Sequence, residues 1–400
     1  MHLAAANVLR PHWLDTNADG VPDTLVGLIE PSRANAFLRS EDLTTSWTAF
    51  NCTISPDARV APDGNLTADR VVEAATNSTH SPTQNVAITA GAPICLSGFF
   101  YPGERTQGEI SARNQASTSN FVLDFDTAGG GSFATAFFGS AVVQSAGLIP
   151  LWGAAAGWWY FWIGGTIDNT ETNITTAFRL RNAGQASYLG DITKGAYYWG
   201  LQFETPAAYP SAYIKTTAGA VTRAADNCTE PIAFSPPAVG QSLTVHFVVW
   251  PNWSGILTSM ANIAPGIFGL GCDTGSIVAD GAALLDCFYA SAGSAIQVRL
   301  TANGASGSGG TPALTPGAKV EGIVQLVPSG SQHQAVVTLA SGVSSTTTPA
   351  SIASLPWRQL LLSVGARANG SSPLTRLGGG VQRLAVYNGL HTLAECQAVP

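Results

Sequence analysis

The sequence predicts an all-β protein made of two β-sandwich (jelly-roll) domains that follow a short N-terminal lead-in. Three observations favour this class. Many apolar residues fall in short runs bounded by Gly, Pro, Asn or Asp, which is typical of strands and turns. Only 11% of the 400 residues are charged, too few for the surfaces of helical bundles or coiled coils. Hydrophobic residues make up 45%, which argues against a disordered chain.

The charge balance argues against a nucleic-acid partner, and the hydropathy pattern argues against a membrane span and a signal peptide. Lys and Arg total 18 against 25 Asp and Glu, a net charge of −7, so there is no basic excess for nucleic acid. The longest apolar stretch, around 148–167, is interrupted by Pro150 and several glycines, so we expect no membrane insertion. The N-terminus lacks the basic start and apolar length of a signal peptide. The six cysteines form no Cys-x-x-Cys pair, and buried free thiols are favoured over three disulfides.

Residues 1–36 form the lead-in and contain a candidate calcium loop. Oxygen ligands alternate around Gly20, a residue that allows a sharp turn, and the loop resembles the short calcium repeats of thrombospondin type-3 or dockerin modules. An EF-hand would need a glutamate at the position of Val26. The predicted ligands of a structural calcium ion are Asp15, Asn17, Asp19, the carbonyl of Val21, and Asp23. The alternative is a turn held by its own side-chain hydrogen bonds.

Residues 37–226 are predicted to form the first sandwich domain. Short strand-like runs are Ser97–Tyr101, Asn120–Phe125, Trp158–Ile163, Thr176–Leu180 and Tyr197–Glu204. The last of these is interrupted by Gly200, which suggests a β-bulge. Residues 209–226 are polar and rich in small side chains, which suits an extended connection. We place the boundary between the two domains at the end of this segment.

Residues 227–400 are predicted to form the second sandwich domain. Its strand-like runs are Leu243–Trp250, Ile296–Thr301, Val320–Leu326, Ala335–Leu339, Leu360–Val364 and Gly380–Tyr387. Near the C-terminus, Thr392 and Glu395 have the spacing of a capping box, so a helical turn is expected there.

Several of these segments, in this order, resemble a known family. They are Asn35–Glu41 with Trp47, Ala61–Asp69, His80–Gln84, Gly157–Tyr160, Tyr198–Gln202 and Pro210–Tyr213, the last leading to Val221–Asp226. Together they resemble a carbohydrate-binding-module-like jelly roll of phage tail-fibre and other virion structural proteins. The segments Gly378–Ala385 and Leu393–Gln397 resemble the closing strand and terminal helical turn of a concanavalin-A/laminin-G-like domain.

This resemblance implies a virion fibre or spike protein that binds host-surface glycan for attachment. The implied partners are copies of the chain itself, as a homotrimer, other virion proteins and host-surface polysaccharide. The implied location is the virion, in a tail or capsid fibre assembled in the host cytoplasm. Two alternatives remain open: a purely structural spacer or decoration protein, and a polysaccharide-degrading enzyme or its accessory module.

Aromatic side chains are the candidate ligand contacts, because sugar-binding proteins stack aromatic rings on pyranose faces. Alternation along a strand places Trp158, Tyr160 and Trp162 on one face, and Trp159 and Phe161 on the other. The sequence does not say which face is inside. Trp250 and Trp253 flank the end of a strand, a second candidate position.

Catalysis is not expected. Asp124 and Asp126 would face one side of a strand, but carboxylates at strand ends more often cap turns. The six histidines are scattered, and none has ligand spacing.

Overall fold

The structure is a computed structural model. It describes residues 10–14, 24–29, 32–151, 153–224, 228–232, 241–251, 266–272, 283–289, 296–302, 305–310, 319–349, 360–364 and 379–398. Within these residues strands predominate, and the one α-helix is α1 (Leu393–Ala398). The prediction of an all-β protein is therefore confirmed. No helix in the described part of the chain is long and apolar enough to span a membrane.

The described chain divides into two compact units. The first covers Arg33–Arg223, and the second combines Ala224–Pro400 with the strands that precede residue 33. In chain order the strands of the lead-in and the first unit are β1 (Arg10–Leu14), β2 (Thr24–Ile29), β3 (Arg33–Asn35), β4 (Thr48–Phe50), β5 (Cys52–Val60), β6 (Leu66–Glu73), β7 (Asn77–Ser78), β8 (Ser81–Ala87), β9 (Ile94–Tyr101), β10 (Gln107–Asn114), β11 (Asn120–Asp126), β12 (Ser132–Phe138), β13 (Val142–Pro150), β14 (Trp159–Thr166), β15 (Asn173–Arg181), β16 (Tyr188–Leu189), β17 (Gly195–Glu204) and β18 (Val221–Arg223).

The first unit is a jelly roll of two antiparallel sheets. One sheet has the order β12-β11-β10-β15-β8-β4. The other has the order β13-β14-β9-β17-β3-β18, with β6 pairing with β17 and β5 with β6. Consecutive strands cross between the sheets, as β8, β9 and β10 do, which is the connection that defines a jelly roll. The register between β17 and β9 shifts between Trp199 and Gln202, so the bulge predicted at Gly200 is confirmed.

The core of the first unit lies between its two sheets and is rich in phenylalanine. Strand β11 shows why these residues form strands: its side chains alternate between half-buried and fully buried, with Phe121, Leu123 and Phe125 facing inward. The largest core side chains that are at most 1% exposed are Phe37, Phe100, Phe121, Phe161, Phe178, Tyr198 and Phe203.

The second unit is also built from two antiparallel sheets. Its strands are β19 (Cys228–Ile232), β20 (Leu243–Pro251), β21 (Gly266–Cys272), β22 (Ala283–Tyr289), β23 (Ile296–Ala302), β24 (Ala305–Gly310), β25 (Val320–Ser329), β26 (Gln332–Leu339), β27 (Ser344–Thr346), β28 (Leu360–Val364) and β29 (Gly379–Asn388). The sheet orders are β1-β2-β29-β20-β25-β26-β27 and β19-β28-β21-β22-β23-β24. Phe247 of the first sheet packs on Phe268 of the second, with ring centroids 6.3 Å apart.

The second unit includes the lead-in strands and the C-terminal helical turn. The two strands of the lead-in, β1 and β2, extend its seven-stranded sheet next to β29. The capping box before α1 is present, because the Thr392 N–H donates to Glu395 Oε2 at 2.7 Å and the Glu395 N–H donates to Thr392 Oγ1 at 3.2 Å.

Candidate functional site

Strand β14 turns its even-numbered aromatic residues outward. Phe161 and Ile163 are fully buried between the sheets, and Phe161 stacks on Phe125 of the opposite sheet with ring centroids 5.7 Å apart. Tyr160 and Trp162 therefore point away from the core, and their rings stack on each other with centroids 5.8 Å apart and planes 30° apart. The structure thus decides which of the two predicted faces is outside.

The strand register extends this outward row across the sheet. Tyr160 lies opposite Phe99 of β9, which lies opposite Trp199 of β17. Two residue pairs along, and so on the same face, Tyr101 of β9 lies opposite Tyr197 of β17. Ring centroids are 4.9 Å apart for Phe99 and Tyr160, 5.3 Å for Phe99 and Trp199, and 6.1 Å for Tyr101 and Tyr197. We call this surface the outer aromatic face.

Only part of the outer aromatic face is accessible. Trp158 is 3% exposed, and its Nε1 donates to the Val60 carbonyl at 3.2 Å. Trp199 is 1% exposed and packs beneath Tyr213. Trp158 therefore packs within the protein rather than meeting a ligand, although the sequence places it with Tyr160 and Trp162. The partly accessible members are Tyr101, Tyr160, Trp162 and Tyr197, each of which is half-buried.

Polar groups border two of these rings, those of Tyr101 and Tyr197. The Arg59 guanidinium lies 3.3 Å from the ring centroid of Tyr101 and 5.3 Å from that of Tyr197, which is cation–π geometry. Beside them, Arg70 forms an ion pair with Glu104 at 2.7 Å. The face thus offers flat apolar rings together with hydrogen-bond donors and acceptors, the combination that a hydroxyl-rich ring with apolar C–H faces requires.

A glycine sets the position of Trp162. Gly147 of β13 is its cross-strand partner, and the indole ring lies over it so closely that a Cβ at this position would overlap the ring. Because Gly147 has no side chain, the Trp162 ring occupies the space in which a Cβ would otherwise lie.

The outer face of the six-stranded sheet is polar, and its carboxylates already accept hydrogen bonds from arginines or from a backbone N–H. Glu109 accepts hydrogen bonds from Arg179 and, at 3.3 Å, from Arg181, and Arg181 also pairs with Asp124. Asp126 accepts from the Ala128 N–H at 2.9 Å, which is a turn cap. Burial acts to raise the pKa of Asp126, but the Ala128 N–H and other donors hold it below its ordinary value. A general acid in glycoside hydrolysis needs the opposite shift.

The second unit has a polar cavity. A cavity of about 590 Å³ on its seven-stranded sheet is lined by residues that include His246, Lys319, Glu321, Arg383 and Gln397. His246 Nε2 lies 3.1 Å from Glu321 Oε1, and burial outweighs this carboxylate and lowers the pKa of His246. Trp250 is half-buried, and its Nε1 donates to Gln382 Oε1 at 3.3 Å, at the border of this cavity.

Some of the predicted site residues lie outside the described residues. These are Trp253 and the candidate calcium ligands Asp15, Asn17, Asp19, Val21 and Asp23. Within the part of the chain that the structure describes, no group of three or more His, Cys, Asp or Glu side chains could hold a metal ion.

Sequence reasoning did not find Arg59, Tyr101 or Tyr197 as members of the site. Tyr101 ends the predicted run Ser97–Tyr101, and Tyr197 begins the run Tyr197–Glu204. Their shared face depends on the pairing of β9 with β17, which joins residues that are almost a hundred positions apart. Alternation within each run is visible in the sequence and shows which residues of that run share a face. The register that pairs one run with the other is not visible in the sequence.

Fold and site together define an all-β protein of two sandwich units with an aromatic surface on the first. No protein-family model and no curated protein matches the sequence. Among solved structures, the chain is similar to domains LG4–5 of the mouse laminin α1 chain (11% identity, 93% of each chain covered, TM-score 0.27). It is also similar to the LG1–3 region of the laminin α2 chain (9% identity, 77% of this chain and 64% of that chain, TM-score 0.27).

A third solved structure is a tail fibre protein from a phage of E. coli. It is 11% identical to this chain, and the match covers 91% of this chain and 41% of the fibre protein, with a TM-score of 0.22. At TM-scores this low, none of the three similarities decides the fold family or the function.

Proposed function

We propose that this chain is a structural and attachment protein of a virion fibre or spike, and that its first unit binds host-surface polysaccharide. The observation that carries the binding proposal is the outer aromatic face, with Tyr101, Tyr160, Trp162 and Tyr197 partly buried and partly accessible on one sheet surface. The sequence resemblance to virion jelly rolls supports the virion location, in a tail or capsid fibre. We also propose that the second unit is a laminin-G-like domain of the same fibre or spike.

Stacking explains why this surface favours sugars over other ligands. The C–H groups of a pyranose face pack on an aromatic ring, and the stacked pair Tyr160 and Trp162 presents a continuous platform with little side-chain freedom to lose. The phenol hydroxyls of Tyr101 and Tyr197 and the Arg59 guanidinium can bond sugar hydroxyls. A shallow platform of this kind binds weakly, so attachment relies on many copies acting together.

Assembly is part of the proposal. We expect the chain to act as a homotrimer together with other virion proteins, with a structural calcium ion in the lead-in loop. Multiple copies convert sites of modest affinity into firm attachment when the geometry lets them bind at once. A chelator that leaves the melting temperature unchanged would argue against the calcium ion.

A glycan array probed with the intact protein tests the binding proposal. We expect the wild type to bind a defined set of host polysaccharides, and Trp162→Ala with Tyr160→Ala to weaken this binding at least about tenfold. Phe50→Ala is the matched control, because Phe50 is 48% exposed on β4 of the other sheet. Absence of binding by the wild type favours the spacer alternative, and equal weakening by both changes would show that the outer aromatic face is not the binding surface.

The enzyme alternative predicts a product. Incubation of host polysaccharide with the protein would then release new reducing ends or unsaturated sugars. We expect none, because the carboxylates Glu109 and Asp124 are paired with arginines and Asp126 caps a turn. Catalytic turnover would instead identify the chain as a polysaccharide-degrading enzyme or its accessory module.

A further inference from the structure

One side of the first unit is left open by both of its sheets. Strand β12 is the last strand of the six-stranded sheet, and β13 is the last strand of the other. Among the described residues β12 pairs with β11 alone and β13 with β14 alone, so each has one backbone edge without a strand partner. We call β12 and β13 together the open edge.

The open edge is apolar and poorly covered. All seven residues of β12 are exposed. Phe133 is 48% exposed and Phe137 is 64% exposed, although the register places them on the core-facing side, opposite Phe125 and Phe121. The opposite sheet therefore does not extend over β12. Phe138 and, on β13, Val142 and Ile149 add further exposed apolar area.

Within the open edge, β12 also lacks the usual protection against strand addition. Natural edge strands carry charges, prolines or bulges that discourage pairing with another chain. The segment from Thr127 to Ile167, which contains β12, β13 and β14, holds no Asp, Glu, Lys, Arg or His. Strand β13 has a bulge between Val143 and Ser145 and ends at Pro150, whereas β12 has neither a bulge nor a proline.

We infer that the open edge is a contact surface for a second copy of this chain. Its unpaired backbone edge accepts a strand, and its phenylalanines need apolar cover, which a copy of the same edge supplies. Two copies of a chain with net charge −7 repel each other over most of their surfaces, and this repulsion is weakest where no charge is present. A partner recruited by charge would instead bind an acidic surface, not this one.

The inference does not depend on glycan binding, because the outer aromatic face and the open edge use different residues. Pairing about a two-fold axis through β12 gives a dimer, and contact of β12 with β13 of the next copy closes a ring such as a trimer. In either arrangement the backbone amides of β12 become hydrogen-bonded across copies.

The test measures the mass of the full-length protein by light scattering without glycan, over a range of concentrations. We expect a multiple of the 41.2 kDa chain. Phe137→Lys places a charge on the open edge and should weaken association at least about tenfold. Phe50→Lys is the matched control, because Phe50 is a similarly exposed phenylalanine on β4, the opposite edge of the same sheet, and should leave the mass unchanged.

Hydrogen exchange of the β12 amides is the second measurement, for the case in which other surfaces also hold the copies together. Protection of β12 that increases with protein concentration and is lost in Phe137→Lys supports the inference, even if the total mass is unchanged. A wild type that is monomeric at every concentration overturns it. So does an assembly in which neither the mass nor the exchange of β12 responds to Phe137→Lys.

Discussion

Replacing Arg105 by leucine would leave Glu73 as a buried carboxylate without its countercharge. Glu73 is 1% exposed and accepts hydrogen bonds from four donors. They are Arg105 Nε at 2.5 Å, Arg105 Nη2 at 3.0 Å, the Tyr188 hydroxyl at 2.5 Å and the Asp191 N–H at 2.8 Å. These bonds tie β6 to the segments before β10 and before β17, so the ion pair joins distant parts of the first unit.

The expected loss is about 3–5 kcal/mol at pH 7, the range for removing one partner of a buried ion pair. Burial acts to raise the pKa of Glu73, but Arg105 and Tyr188 outweigh it and hold the pKa below its ordinary value. The wild type therefore has stability that is present above the unfolded-state pKa and lost as pH falls through the lower folded pKa. Without Arg105, burial dominates and raises the pKa of Glu73. Glu73 is then protonated in acid, which removes the unpaired buried charge and makes the stability loss of the variant smaller.

Urea unfolding followed by tryptophan fluorescence, at pH 7 and near pH 4, measures both effects. The control is Arg70→Leu, because Arg70 pairs with Glu104 at 2.7 Å while their side chains are 27% and 45% exposed. That change should cost less than about 1 kcal/mol. A stability loss in Arg105→Leu no larger than that in Arg70→Leu, or a loss that does not decrease in acid, would show that Glu73 does not depend on Arg105 as its countercharge.

Three further predictions concern the core, a buried acid and the binding surface. Phe161→Ala should cost about 3–5 kcal/mol in the same unfolding assay, because Phe161 is fully buried, whereas Trp162→Ala on the outer face should cost much less; equal costs would contradict the orientation of β14. Burial raises the pKa of Asp69 from its ordinary 3.8 to about 6, so the wild type should lose up to about 3 kcal/mol of stability, relative to Asp69→Asn, as pH rises from about 4 to about 6. If the difference in unfolding free energy between the two proteins does not change over this pH range, the pKa of Asp69 is not raised by folding. Gly147→Val should displace the Trp162 ring and weaken glycan binding at least about tenfold while the protein stays folded by circular dichroism, and unchanged binding would remove Trp162 from the site.

The strands themselves were largely predictable, because alternation and turn residues are local signals. The pattern around Trp158–Ile163 predicts two faces of one strand, and Gly200 predicts the bulge in β17. The same pattern could not say which face of β14 is buried. That depends on the opposite sheet, where Phe125 and Phe178 pack on Phe161.

The composition of the site depended on long-range pairing that the sequence does not encode locally. Arg59 reaches Tyr101 and Tyr197 only because β5, β6, β17 and β9 are neighbours in one sheet. The scarcity of charge favours a chain that is normally covered by copies of itself, but the sequence alone does not say at which surface. In the structure, the uncharged segment from Thr127 supplies one end strand of each sheet of the first unit, and this is the edge at which we propose that a second copy binds.

A structure of the protein with a bound fragment of the polysaccharide selected on the array tests the central proposal most directly. We expect a pyranose ring stacked on Trp162 or Tyr160 within about 4.5 Å, with sugar hydroxyls hydrogen-bonded near Tyr101, Tyr197 and Arg59. A saccharide bound elsewhere, with the outer aromatic face uncovered, would contradict it.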